Sequence, residues 1–269
     1  MREFFIDTAN PDAIKNIGQN LEDKIDLSLV KGVTTNPNAF NKIDEKKLDR
    51  WLIIANEIAD IIFSLRKDNK GEIHIQLPNS KMNANQAINF AQYISDNLPK
   101  DKIKIGMKLP PYVDLLTQAG ELNKIVLTNV TGVSDHATAL KCISYGVNYV
   151  SIIPGRMEEV GIQAKDLMSY LFTSNHRDTK IISGSMRTIE QLIWTFQLNT
   201  VPTIGEKVFD LIFSNDNFDK VLNIDYDKKF PSEEFSPKVT DESFNLSKDF
   251  FYQMDELGSA ATEDFENLS

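Results

Sequence analysis

Eight short runs of apolar and β-branched residues recur along the chain, and segments with a helical repeat lie between them. The predicted strands span residues 3–9, 29–36, 72–77, 103–109, 124–130, 149–154, 180–185 and 200–204. Segments 49–65, 83–98, 134–146 and 188–198 carry apolar residues near i, i+3, i+4 spacing, as amphipathic helices do. Strands that alternate with helices are typically parallel, so eight such units in 269 residues predict a (β/α)8 TIM barrel.

Local signals mark where several helices begin and end. Asn10, Pro11 and Asp12 suit the start of the first helix, and Gly120 and Gly146 suit positions just after the ends of two others. The competing fold is an open doubly wound sheet, but no G-x-G-x-x-G sequence follows any predicted strand. We therefore favour the barrel.

The chain changes character after about residue 215, where it becomes rich in Asp, Glu, Lys, Ser and Pro. A weaker helical pattern, containing FNLSKDFFYQMDEL, then closes the sequence. We predict a single barrel domain over residues 1–269, in which residues 215–269 form a loop and a helical tail packed on the barrel.

Charge and cysteine usage exclude several classes of partner. The formal net charge of −10 gives no basic surface for nucleic acid or an anionic membrane. The one cysteine, Cys142, falls in a helical pattern and is expected to be a buried thiol, and no Cys/His cluster has metal-ligand spacing. No signal-like apolar segment opens the chain, and no run reaches the roughly 18 apolar residues of a membrane span. We expect a cytoplasmic protein without a bound metal.

Polar residues stand at the carboxyl ends of the predicted strands, where the working residues of such barrels lie. They are Asp7, Thr34, Asn36, Gln76, Lys108, Asn129, Thr131, Ser151 and Ser185. Because side chains alternate along a strand, Lys108 points inward with Gly106, which leaves room beneath the amine. His74 shares its face with Gln76 one layer lower, and we expect a hydrogen-bonded core histidine there.

Lys108 has two interpretations from residue pattern alone. Loss of hydration inside a crowded mouth lowers the pKa of a lysine, and the neutral amine can attack a ketone or aldehyde to form a Schiff base. Alternatively, Lys108 closes the barrel as a structural ion pair with Asp7. The pattern leaves both open.

Six stretches in register with these strand ends resemble the transaldolase and fructose-6-phosphate aldolase family, which are class I aldolases on a (β/α)8 barrel. They are FIDTAN (5–10), GVTTNP (32–37), MKLP (107–110), TNVT (128–131), the YVS and GR of YVSIIPGR (149–156), and SGSMRT (183–188). The resemblance spans about residues 3–215 and implies sugar-phosphate substrates and no cofactor. It leaves a homo-oligomer open, because members of the family assemble differently.

The resemblance implies a role for each matching residue. Lys108 would form the Schiff base with the ketose carbonyl, and Asp7 would handle the hydroxyl protons during cleavage of the carbon–carbon bond. Gln76 and Thr131 would hold the water that carries protons during imine formation and hydrolysis. The residues expected to bind the sugar or its phosphate are Thr34, Asn36, Asn129, Ser151, Ile153, Arg156, Ser185 and Arg187.

Departures from the family pattern bear on the type of reaction. Ile153 stands where the aldolases carry Tyr and the transaldolases Phe, so it lacks the hydroxyl that would feed the water relay. Gln76, in contrast, is the aldolase-type residue, and Asn38 and Gly132 also replace the usual residues. We expect a transaldolase that moves a dihydroxyacetone unit from fructose 6-phosphate or sedoheptulose 7-phosphate to an aldose phosphate. The alternatives are an aldolase that releases free dihydroxyacetone and a non-catalytic barrel that binds sugar phosphates.

Overall fold

A computed structural model of the chain describes residues 2–41, 48–67, 69–79, 81–173, 178–214 and 217–226. These residues form eight parallel strands that pair in chain order and close into a barrel. The strands are β1 (Phe4–Asp7), β2 (Val30–Thr34), β3 (Gly71–Gln76), β4 (Ile103–Leu109), β5 (Leu127–Thr131), β6 (Tyr149–Ile152), β7 (Lys180–Ser183) and β8 (Val201–Gly205). The predicted (β/α)8 barrel is confirmed.

Helices follow the strands and form the outer layer of the barrel. Those that the structure describes are α1 (Pro11–Leu21), α2 (Pro37–Asn41), α3 (Leu48–Leu65), α4 (Ala84–Asn97), α5 (Val113–Leu116), α6 (Ala119–Leu122), α7 (His136–Ser144), α8 (Pro154–Glu159), α9 (Ala164–Thr173), α10 (Ile189–Gln197), α11 (Glu206–Phe213) and α12 (Asn217–Leu222). Among these described helices, none has the length and apolar character needed to cross a membrane.

Strand boundaries agree with the sequence prediction within a few residues. The prediction for β4 is correct at both ends, whereas β5 begins at Leu127 rather than at residue 124. The backbone N–H groups of Ile125 and Val126 both donate to the carbonyl of Leu122 and continue the turn after α6. Local hydrogen bonding therefore takes these apolar residues away from the strand.

Two of the three predicted helix boundaries are confirmed. The side chain of Asn10 accepts hydrogen bonds from the backbone N–H groups of Asp12 and Ala13, which caps α1. Gly146 follows α7 and adopts a left-handed φ of 73°. The prediction for Gly120 is wrong, because this residue lies inside the short helix α6.

The apolar core occupies mainly the layer between the sheet and the helices. Inside the barrel, a smaller cluster contains Phe5, Tyr149 and Ile182, and buried polar residues lie beside it. The register pairs Gln76 with Lys108 across β3 and β4. It also pairs Lys108 with Asn129 and Thr131 with Ser151 on the next strands. Side chains of β3 to β6 therefore meet at one side of the barrel mouth.

Part of the predicted tail can be compared with the structure. Within it, α12 contacts α10 and α11 on the outside of the barrel. Residues 215, 216 and 227–269 lie outside the described residues, as do most of the predicted tail and its helical pattern. Cys142 is fully buried in α7, and burial raises the pKa of its thiol, as expected for an inert residue.

Candidate active site

A cavity of about 170 Å³ opens at the carboxyl ends of the strands. Nearly all of the site residues predicted from the sequence line it, namely Asp7, Thr34, Asn36, Gln76, Lys108, Thr131, Ser151, Ile153, Arg156 and Ser185. Asn129 and Arg187 are the two that lie outside this lining. The geometry therefore brings together residues from seven of the strands or the loops that follow them.

Lys108 extends from the end of β4 into this cavity. Its Nζ donates a hydrogen bond of 3.0 Å to the carbonyl oxygen of Thr35. That carbonyl is held in place because the N–H and the hydroxyl of Thr35 both donate to the carbonyl of His74. Burial lowers the pKa of Lys108, against the opposing charge of Asp7. A larger share of the amine is therefore neutral than in a solvated lysine.

Asp7, at the end of β1, accepts a hydrogen bond of 3.0 Å from the hydroxyl of Thr34. Burial raises the pKa of Asp7, and the charge of Lys108 and the Thr34 hydrogen bond oppose this rise. Within the described ranges, no ion pair joins Lys108 to Asp7, since the amine bonds a main-chain carbonyl instead. The structure thus does not contain the structural ion pair that was the alternative interpretation of Lys108.

A chain of buried polar groups runs from the cavity wall into the barrel. Ser151 Oγ donates to Asn129 Oδ1 at 2.6 Å, and Asn129 Nδ2 lies 3.0 Å from His74 Nδ1. The other ring nitrogen of His74 lies 3.1 Å from Glu72 Oε2. Asn129 is fully buried and does not belong to the cavity lining, so the expectation that it binds the sugar stays a prediction. His74 is the hydrogen-bonded core residue that the sequence predicts.

Gly106 makes space for this chain. A Cβ atom at Gly106 would lie 2.7 Å from Cδ2 of His74, which is closer than real contacts allow. The room that the sequence places beneath the Lys108 amine is therefore filled by the His74 ring.

Two arginines, Arg156 and Arg187, lie near the loop that follows β7 at the barrel mouth. Arg187 Nη1 donates to the carbonyl oxygen and the hydroxyl of Ser185 at 3.1 and 3.0 Å. Ser185 has a left-handed φ of 56°, a conformation that is costly for a residue with a side chain. A Cβ at Gly155 would lie 2.0 Å from the Ser185 carbonyl oxygen, so only glycine permits α8 to approach this loop.

Glu159 pairs with both arginines of this region. Its Oε1 accepts from Arg187 Nε at 3.1 Å, and its Oε2 lies 3.8 Å from Arg156 Nη1. Arg187 itself lines a second pocket of about 560 Å³, which shares Asp7, Asn36, Asn38 and Ser185 with the first. The two arginines therefore lie on adjoining parts of one opening, with a carboxylate between them.

Three departures from the family pattern have a clear place in the structure. Asn38 lines the cavity, and Ile153 forms part of its wall just before α8. Gly132 has a left-handed φ of 80°, so its backbone conformation explains the glycine. Asn36 lines the cavity, and its Oδ1 accepts from the N–H of Ala39 at 2.9 Å, while its amide nitrogen has no hydrogen bond within the part of the chain that the structure describes.

Sequence reasoning missed some of the cavity wall. Thr203 of β8 contributes a hydroxyl 2.6 Å from that of Thr34, and Ile182 of β7 lies nearby. None of the stretches that resemble the family covers β8. The alternation of side chains along residues 200–204 could have predicted this position, since Thr203 is the inward polar residue of that strand.

Comparisons with known proteins agree with one another. The model of the family described as Transaldolase/Fructose-6-phosphate aldolase matches residues 4–267. A protein from Desulforapulum autotrophicum named "Probable transaldolase" is 28% identical over 220 residues, which cover 79% of this chain and 90% of that protein. One of the same name from Brachyspira hyodysenteriae is 30% identical over 191 residues, covering 69% of this chain and 77% of that protein.

A further protein named "Probable transaldolase", from Methanococcus maripaludis, is 28% identical over 217 residues, which cover 79% of this chain and 90% of its own. Among solved structures, thiamine phosphate pyrophosphorylase from Pyrococcus furiosus superimposes with a TM-score of 0.50 at 8% identity. This alignment covers 95% of this chain and 96% of that one, and at such low identity it bears on the fold alone.

Proposed function

This chain belongs to the transaldolase/fructose-6-phosphate aldolase family, and we propose that it is a class I transaldolase whose Schiff base forms on Lys108. It is an enzyme of the transaldolase or aldolase type. The observation that carries the proposal is a lysine with a lowered pKa at the mouth of the barrel, in one cavity with a carboxylate. That pairing supplies a nucleophile and a base to one substrate.

The first step is attack of the neutral Lys108 amine on the ketose carbonyl. The resulting carbinolamine loses water and leaves a protonated imine, which draws electrons from the neighbouring carbon–carbon bond. Gln76 and Thr131 line the cavity beside this position and are suited to hold the water that leaves and later returns. The carbonyl of Thr35 holds the amine before the substrate arrives.

The second step is cleavage of the bond between C3 and C4 of the ketose. Asp7 takes the proton of the C4 hydroxyl as the bonding electrons move toward the imine, which becomes an enamine. The aldose phosphate leaves, and the three-carbon unit stays on Lys108. Because burial favours the protonated form of Asp7, the carboxylate gains a proton more readily than a solvated aspartate would.

The phosphate of the substrate has a clear recognition site in this proposal. Arg156 and Ser185 line the cavity, and Arg187 donates to Ser185 from the adjoining pocket. Guanidinium groups bind phosphate oxygens with paired N–H donors, and they supply local positive charge to a chain with a net charge of −10. Sugar phosphates are therefore the ligands we propose.

Ile153 favours transfer over release of free dihydroxyacetone. It presents an apolar wall to the cavity and has no hydroxyl to hold a hydrolytic water near the imine. Gln76 is the observation that favours the aldolase alternative, because it matches the residue found in the aldolases. The two residues face the same cavity, so their balance decides how fast water reaches the intermediate.

A donor and acceptor assay tests the proposal. The protein is given fructose 6-phosphate with and without erythrose 4-phosphate, and sedoheptulose 7-phosphate and free dihydroxyacetone are both measured. We expect sedoheptulose 7-phosphate to form much faster than dihydroxyacetone is released. Release without acceptor at the rate of transfer would instead assign the protein to the aldolases.

A further inference from the structure

His74 does not belong to the cavity lining, yet its hydrogen bonds lead through Asn129 to Ser151 of the cavity wall. The ring is fully buried and is held between Phe5 and Tyr149, with 4.9 Å between its centroid and each of theirs. Such edge-to-face packing leaves little freedom for the ring to turn. Its two nitrogens therefore keep fixed partners.

Glu72 is the partner on the lower side and can only accept hydrogen bonds when ionised. Its Oε2 accepts from the Tyr149 hydroxyl at 2.7 Å, and its Oε1 lies 3.2 Å from Lys31 Nζ. Although burial opposes ionisation, the hydrogen bonds from His74 and Tyr149 and the charge of Lys31 lower the pKa of Glu72. The carboxylate therefore requires a proton on the Nε2 atom of His74.

The protonation state of His74 then determines how the Asn129 amide and the Ser151 hydroxyl are oriented. Burial and the charges of Lys108 and Lys31 lower the pKa of His74, against the hydrogen bond and the charge of Glu72, and this favours the neutral ring. In a neutral ring, a proton on Nε2 leaves a lone pair on Nδ1. That lone pair accepts from Asn129 Nδ2 at 3.0 Å. The amide oxygen of Asn129 then faces Ser151 and accepts its hydroxyl proton at 2.6 Å.

We propose that His74 is a positioning residue that makes Ser151 a pure hydrogen-bond acceptor toward the substrate. Ser151 lines the cavity, and the donation of its only hydroxyl proton to Asn129 leaves lone pairs on the cavity side. Lone pairs suit a substrate hydroxyl or the N–H of a protonated imine, and they reject an acceptor. Glu72, His74 and Asn129 form a hydrogen-bonded chain that we call the polarity chain. This chain thus determines whether Ser151 accepts or donates a hydrogen bond toward the substrate.

The proposal rests on the proposed Schiff-base function for its kinetic part only. The polarity chain lies on β3 and β5 and reaches Ser151 of β6, and the strand register places Asn129 next to Lys108. No residue of the polarity chain donates to or accepts from Lys108 among the described hydrogen bonds, so the effect on the imine passes through Ser151. Its tautomer can be measured without any substrate.

Glu72→Gln should reverse the direction of the hydrogen bonds in the polarity chain while preserving the side-chain volume at position 72. The amide nitrogen of the new side chain donates to His74 Nε2, which moves the ring proton to Nδ1 and turns the Asn129 amide over. Ser151 then receives a hydrogen bond from Asn129 and directs its own proton into the cavity. We expect kcat to fall about 10- to 100-fold with KM changed less than about threefold, the range typical when a residue that orients a metal ligand from behind is changed.

His74→Phe removes the chain but fills the space between the aromatic neighbours, and we expect a similar loss of kcat. His74→Gln retains a donor for Glu72 and an acceptor for Asn129, so it should restore most of the activity. Thr195→Val is the stability control, because it removes a buried hydroxyl that bonds the carbonyl of Leu192 in α10. That variant should lower thermal stability and leave kcat within about twofold of the parent.

The decisive readout is the imidazole ¹⁵N spectrum at neutral pH, which is tractable because the chain has 3 histidines. Loss of one signal in His74→Phe assigns the ring. We expect the Nε2–H tautomer in the parent and the Nδ1–H tautomer in Glu72→Gln. An Nδ1–H or doubly protonated His74 in the parent would overturn the inference, as would full activity of folded Glu72→Gln or His74→Phe. Failure of the Schiff-base proposal would appear separately, as absence of a reducible imine in the parent.

Discussion

Replacement of Ile153 by tyrosine tests how the protein keeps water away from its intermediate. Ile153 lies at the end of β6 and lines the cavity with Lys108 and Gln76. A Cβ at Gly184 would lie 3.7 Å from Ile153 Cγ2, so the side chain packs over the loop after β7 at ordinary contact distance. A tyrosine there carries a hydroxyl toward the water held by Gln76. Ile153→Phe is the matched control, because it adds the ring without the hydroxyl.

The expected increase in hydrolysis of the intermediate follows from the size of the cavity and from the rate enhancement that one proton-transfer group provides. The cavity measures about 170 Å³, whereas one water needs only about 10–15 Å³, so space does not limit the relay. A positioned acid or base contributes about 10²- to 10⁴-fold to a proton transfer. We expect a gain at or below the lower limit of this range, about 10- to 100-fold, because Gln76 and Thr131 are proposed to hold the water already in the parent. This gain corresponds to about 1.4–2.7 kcal/mol.

The assay is the ratio of free dihydroxyacetone released to sedoheptulose 7-phosphate formed at fixed donor and acceptor concentrations. Ile153→Tyr should raise this ratio about 10- to 100-fold, and Ile153→Phe should leave it near the parent value. An equal rise in both variants would refute the reasoning, because it would trace the effect to bulk rather than to the hydroxyl.

Three further predictions follow from the same site. Lys108→Met should abolish imine formation, and it should leave the melting temperature unchanged or raised because a buried amine is removed; a reducible adduct in this variant would contradict the mechanism. Asp7 has a raised folded pKa, so its stabilising contribution is complete below its unfolded pKa of about 3.9 and is lost as pH rises through the folded value. Asp7→Asn should therefore raise the melting temperature at pH 7 by about 2–4 °C, and a drop would contradict the sign. Glu159→Gln frees the two arginines and should lower KM for fructose 6-phosphate about two- to fivefold at low salt, with no such change for unphosphorylated dihydroxyacetone or for Glu158→Gln.

The barrel and most of the cavity wall could be predicted from the sequence, because both depend on local repeats. Alternation along β4 places Lys108 inward, and the residue types at the strand ends supply the rest. Short motifs also carry backbone information, since the glycine of the GR pair, Gly155, is needed for contact with the loop of Ser185. These features are readable because each depends on a few consecutive residues.

Side-chain partners were less accessible to sequence reasoning, because they depend on distances between strands. Asn129 has the parity of a cavity residue, but its amide is hydrogen-bonded to His74 and Ser151. Gly120 has the residue type of a helix end, yet a second short helix includes it. The ion pair between Glu159 and Arg187 joins α8 to the loop after β7, and no local pattern records it. Pairings of this kind can be identified only from the three-dimensional structure of the closed barrel.

The most direct test of the central claim is borohydride reduction in the presence of fructose 6-phosphate, followed by peptide mass mapping. We predict that the mass of one reduced dihydroxyacetone unit appears on the peptide that contains Lys108, and that Lys108→Met shows none. An adduct on a different lysine, or no adduct while the parent turns over substrate, would contradict it.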